Sequence, residues 1–151
     1  MTKPSIRLAV VLMALTSPLL LAQQASTSKL AAAATKEPAF KAHVLTVPEL
    51  NALLAKPDKV LLIDVRRPDE VTSIGGFPAY FSVQASDLEK SLAWIPKDRT
   101  IVTVSNHASR AGKAADLLSS KGFKVAGAVG AETYEKDGGT IAHIKAPAPK
   151  S

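Results

Sequence analysis

Four residue types that can do chemistry lie at the ends of two apolar runs. Ser105, His107 and Arg110 follow Ile101–Val104, and Asp64 closes the run Lys59–Val65. Ile101, Val102, Thr103 and Val104 are β-branched and read as a strand; Ser105 to Arg110 are polar or small; an alanine-rich helical pattern resumes at Ala111. A strand, a tight loop and a helix N-terminus point unpaired N–H groups and the positive helix end at one spot, where an anion is favoured. The residues of that loop are Ser105, Asn106, His107, Ala108, Ser109 and Arg110. Arg110 adds a full positive charge, either for a bound anion or for a salt bridge that holds the loop.

A second chemistry is conceivable for the same residues: a hydrolase with Ser105 as nucleophile, His107 as base and Asp64 as orienter. Two features weigh against it. Ser105 and His107 are two apart in a tight loop, where facing side chains are hard to arrange, and no G-x-S-x-G elbow is present. Asp64 reads first as an acid capping N–H groups at a strand end, with Arg66 or Arg67 to partner it or Asp69. Metal binding is not indicated, because His43, His107 and His143 are widely separated and carry no ligand pattern.

Cysteine is absent from all 151 residues, and the two methionines, Met1 and Met13, both fall in an apolar leader. No disulfide, thiol nucleophile, thiolate metal site or persulfide can form on this chain. In the leader, Lys3 and Arg7 precede an apolar run from Leu8 to Ala22, shorter than the roughly 20 residues of a membrane span and laid out like a secretory signal peptide. The expected organisation is a signal peptide over 1–25, a flexible linker over 26–39, one domain over 40–145 and a disordered tail over 146–151. The expected location is periplasmic or secreted, with no stable membrane anchor after cleavage. The formal charge of +6 falls by the two units of Lys3 and Arg7 to about +4, with acids scattered among the lysines. This is a solvated basic surface rather than a nucleic-acid footprint, and it can draw in small anions.

The elements that must position the loop follow in order. His43, Val44 and Leu45 are expected to form an edge strand, and Thr46 with Glu49 makes a capping box before a helix burying Leu50, Leu53 and Leu54. Lys59–Val65 reads as a buried parallel strand, and Pro68 opens a short helix with Asp69 and Glu70 in its first turn. Gly75, Gly76, Phe77 and Pro78 form a turn before a short strand Tyr80–Val83. Ser86 and Glu89 suggest a second capping box for a helix running through Trp94. After the loop, Ala111, Ala115 and Leu118 lie on one helical stripe, Gly122 stops that helix, Phe123–Val129 is a strand and Glu132–Asp137 a brief helix. Trp94, Tyr80 and Phe81 suit a core or an interface equally well. Neither Gly75-Gly76 nor Gly138-Gly139 makes a phosphate or dinucleotide motif, so no cofactor is expected.

Alternating strands and helices over about 100 residues imply an α/β domain, a central parallel sheet with helices on both faces and ligands outside the strands' carboxyl ends. Over Leu45 to Gly139 the chain resembles the rhodanese-like family. LLIDVRRPDE is similar to the family's strand ending in Asp-Val-Arg, GGFPAYFSV to the segment after it, and the central loop and KGFKVAGAVGA to the remainder. The resemblance implies a three-layer fold and places Ser105 at the position of the catalytic cysteine, with Arg110 at the loop arginine and Asp64 and Arg66 in support. Gly76 stands where many relatives carry a histidine. Family members hold a sulfane sulfur on that cysteine; a serine hydroxyl cannot store it. The resemblance therefore implies a domain without sulfurtransferase activity. Its loop is expected to take a small oxyanion such as thiosulfate or sulfate, or an acidic group of a partner protein. A purely structural interaction module is the further alternative.

Overall fold

The computed structural model describes residues 39–143. The leader, most of the linker and the tail lie outside them. Four strands form one parallel sheet: β1 (Val60–Asp64), β2 (Phe81–Ser82), β3 (Thr100–Ser105) and β4 (Val125–Gly130), in the order β2-β1-β3-β4. The two central strands, β1 and β3, are almost wholly buried, which explains their unbroken apolar sequence. Their register, Val60 against Thr100 through Asp64 against Val104, brings Asp64 and Ser105 to the same carboxyl edge.

Helices cover both faces, giving the α/β three-layer arrangement. On one face, Leu50 of α1 (Val47–Leu54) and Tyr134 of α4 (Ala131–Lys136) pack with Val60, Leu62, Val102 and Val104. On the other, Ala114 and Leu118 of α3 (Ser109–Ser120) pack with Ile63, Ile101 and Phe123. The alternation of β1 and β3 side chains between these two clusters is the two-residue period of a strand. Helix α2 (Pro68–Ile74) sits just past the end of β1. Thr46 donates its N–H and hydroxyl to the Glu49 carboxylate at 2.8 and 2.7 Å, which starts α1 and helps hold that carboxyl down at about 2.

Three local expectations change. The strand expected at His43–Leu45 is a single bridge of Val44 to Ala128. The strand expected at Tyr80–Val83 contracts to two residues, Phe81 and Ser82, which pair with Ile63 and Asp64 of β1. The second capping box does not form: the Ser86 hydroxyl turns to Asp87 at 3.4 Å, and residues Glu89–Trp94 wind as a 3₁₀ helix. Trp94, which suited a core or an interface equally well, is 79% exposed. The Gly75-Gly76 turn pins the far end of the chain, with Gly76 and Ala142 exchanging backbone hydrogen bonds of 2.8 and 2.7 Å. Gly75 has φ of 99°, and a Cβ there would meet the Ala142 carbonyl at 2.7 Å, so this turn requires glycine on both counts.

Candidate functional site

Ser105 is the last residue of β3 and is 1% exposed. Parity along the strand turns it toward α3, where its Oγ accepts the Ala111 N–H at 3.2 Å. One turn of loop separates them. Ala108 takes a left-handed conformation, φ of 65°, and this reverses the chain so that α3 starts directly above the strand end. Among the described residues, the N–H groups of Asn106, His107 and Ala108 have no hydrogen-bond acceptor. They stand at the N-terminal end of a twelve-residue helix, where the helix dipole is positive.

The charges around the loop are already paired. Asp64 and Arg66, 1% and 0% exposed, form a buried fork with Nε–Oδ1 of 2.9 Å and Nη2–Oδ2 of 2.7 Å. Arg110 donates to both carboxylate oxygens of Glu70, at 2.8 and 2.6 Å. Asn106 connects the two pairs: its amide donates to Glu70 at 2.9 Å, and its carbonyl accepts from Arg66 at 3.4 Å. The Arg67 N–H adds a fourth donor to Glu70 at 3.0 Å. Arg110 first, and then that N–H, hold the Glu70 carboxyl down at about 2, and Glu70 in turn raises Arg110 above the usual guanidinium value.

The structure thus brings Asp64, Arg66, Asn106 and Arg110 into one network through Glu70 at the sheet edge, with Ser105 at the same edge but its hydroxyl bonded only to the Ala111 N–H. His107 and Ser109 stay at its exposed rim, and Ala108 is buried beneath it. The arrangement needed for hydrolysis is not assembled: Asp64 serves Arg66, while His107 points outward, 70% exposed and 3.6 Å from Glu132. Arg110 has the salt-bridge partner that the sequence left open as one of its two uses. Two participants escaped the sequence reading. Glu70 is visible there only as an acid in a helix's first turn, its partners lying 36 and 40 residues away. Gly130 lies under the loop, where a Cβ would meet Asn106 O at 2.8 Å and Ala108 N at 2.9 Å. Among the described residues no group of three or more metal-ligating side chains occurs, and no helix is long and apolar enough to cross a membrane.

A parallel sheet sandwiched between helices, with a loop and helix N-terminus at its carboxyl edge, defines a three-layer α/β domain. The family model for the rhodanese-like domain matches residues 46–138, well over half of the chain, and the chain belongs to that family. Three solved structures show the same fold. A rhodanese-related protein from Thermoplasma volcanium is 19% identical, with a TM-score of 0.57, over 66% of this chain and 97% of that one. A rhodanese-like domain protein from Staphylococcus aureus is 20% identical, TM-score 0.56, over 68% and 98%. A thiosulfate sulfurtransferase from Pseudomonas aeruginosa is 23% identical, TM-score 0.56, over 68% of this chain and 20% of that one. No curated protein matches the sequence significantly.

Proposed function

We propose that this chain is an exported rhodanese-like domain without sulfurtransferase activity. In this reading its β3–α3 loop takes a small oxyanion such as thiosulfate or sulfate, or an acidic group of a partner protein. The observation that carries the reading is Ser105: a hydroxyl occupies the buried head of an otherwise complete loop, in a chain with no cysteine. An alkoxide is too basic to form in such a cradle, whereas a thiolate with its ordinary value of about 8.5 forms readily. Since Glu70 occupies Arg110, attraction for the ligand comes from the loop N–H groups and the helix dipole.

Thiocyanate formation from thiosulfate and cyanide tests the first half. Wild type is expected to give none, and Ser105→Cys a measurable rate. Thiocyanate from wild type would end the proposal. Titration with thiosulfate and sulfate tests the second half, with Glu70→Gln expected to tighten binding by releasing Arg110; no binding to either protein at millimolar concentration removes the anion role.

One observation favours a second reading, a module that binds a protein partner away from the loop. Trp94 is 79% exposed and Tyr80 39% exposed, and large aromatics are enriched at interfaces. Trp94→Ala should then abolish capture of a partner that Arg110→Ala leaves unchanged.

A further inference from the structure

A mostly apolar recess lies toward the opposite end of the sheet from Ser105. Strand β3 rises about 16 Å from Thr100 to Ser105, and the recess opens beside Val60, the partner of Thr100. It exists because β2 is short. Strand β3 pairs with β1 along all five residues, whereas β2 pairs only Ile63 and Asp64, leaving the outer edge of β1 without a strand from Val60 to Leu62. Val60, Leu61 and Leu62 all line the recess. Consecutive strand residues face opposite ways, so a space touching all three runs along the strand edge, between the two helical layers.

Its walls are Leu54 of α1 and the chain's own crossover from Phe77 to Phe81, and its volume is about 490 Å³. Small-molecule sites fall in the range of roughly 300 to 1,000 Å³. The lining has one charge, Arg99, which is half-buried and enters no ion pair or side-chain hydrogen bond among the described residues. Every other arginine described here, Arg66, Arg67 and Arg110, is held by a carboxylate. An apolar recess with one guanidinium that has no carboxylate partner among the described residues is complementary to a ligand with an apolar tail and a single anionic head.

We propose that this recess binds an amphiphilic monoanion, a carboxylate bearing a medium-length aliphatic or aryl tail, with the tail along the β1 edge and the head on Arg99. The site is independent of the loop at Ser105. Calorimetric titration and amide chemical shifts, with decanoate, decanol, decylammonium and acetate as probes below their aggregation thresholds, test it.

Decanoate is expected to bind saturably at one site, shifting Val60–Leu62, Phe77–Phe81 and Arg99. Decanol should bind about tenfold more weakly, the scale of one charged hydrogen bond, decylammonium more weakly still, and acetate not measurably. Arg99→Gln should reduce decanoate to the level of decanol. Ala79→Trp, at an exposed lining position, should weaken every tailed probe while the amide spectrum away from the recess stays that of wild type. The proposal is overturned by absence of saturable decanoate binding, by equal affinity for decanoate and decylammonium, or by shifts confined to other residues. Concentration-dependent dimers that bury these residues would overturn it too, by showing a second copy as the occupant.

Discussion

Glu70 collects four donors on one carboxylate, from Arg110 twice, Asn106 and Arg67, and so ties α2 to the loop that follows β3. The pair is partly open to water, Glu70 14% and Arg110 39% exposed, so solvent screens much of the attraction. Glu70→Gln is expected to lower unfolding free energy at neutral pH by about 1 kcal/mol. The folded carboxyl sits near 2, below its ordinary 4.5. Its contribution is therefore complete above about pH 4.5 and disappears as pH falls through about 2. In urea titrations the gap between wild type and Glu70→Gln should close across that window. Asp64 and Arg66 differ because both are fully buried. Removing one partner strands a charge in the interior, so Asp64→Asn should cost about 3–5 kcal/mol, while replacing both by Leu and Met should cost much less. Equal losses for the single and double replacements in the same titrations would show that packing, rather than the ion pair, supports this strand end.

At the scale of elements, the sequence displayed whatever depends on neighbours along the chain. The β-branched run from Ile101, the loop to Arg110 and the Ala111–Ala115–Leu118 stripe became β3, its loop and the buried face of α3, since strand period, helix period and loop length are local. Thr46 and Glu49 found each other as a helix start should. Ser86 and Glu89, at the same spacing, did not; Asp87 competes for the hydroxyl, and the segment tightened into a 3₁₀ helix with Trp94 outside. The length of β2 was illegible because it depends on where the crossover meets β1, a contact between segments distant along the chain. Gly130 is the sharpest case. Its φ of −96° suits any residue, so nothing local asks for glycine; the reason is the loop backbone 2.8–2.9 Å from where a Cβ would be. Gly130→Ala should push Asn106–Ala108 outward and cost about 1–3 kcal/mol. Introduced beside Ser105→Cys, it should cut sulfur transfer more than it lowers the melting temperature predicts. An unchanged rate would mean that β4 does not set the loop's shape.

For the whole molecule, the sulfur content of the chain and its destination are one question. Both methionines, Met1 and Met13, precede Ala22, and no cysteine occurs anywhere. Removal of a leader after Ala22 or Ala25 would leave a protein without a single sulfur atom, immune to thiol alkylation and to the methionine sulfoxide reaction. Retention would keep Met13 as an oxidisable marker. Expressed from its own first residue in a bacterium with a periplasm, the protein is expected in the periplasmic fraction, with an intact mass matching a start just after Ala22 or Ala25. Peroxide and iodoacetamide should leave that mass unchanged. Cytoplasmic protein whose mass includes residues 1–22 and gains a sulfoxide on Met13 would overturn export. An anion site in the loop, as proposed, would then meet cytoplasmic metabolites, where phosphate compounds compete with sulfate for helix N-terminal N–H groups.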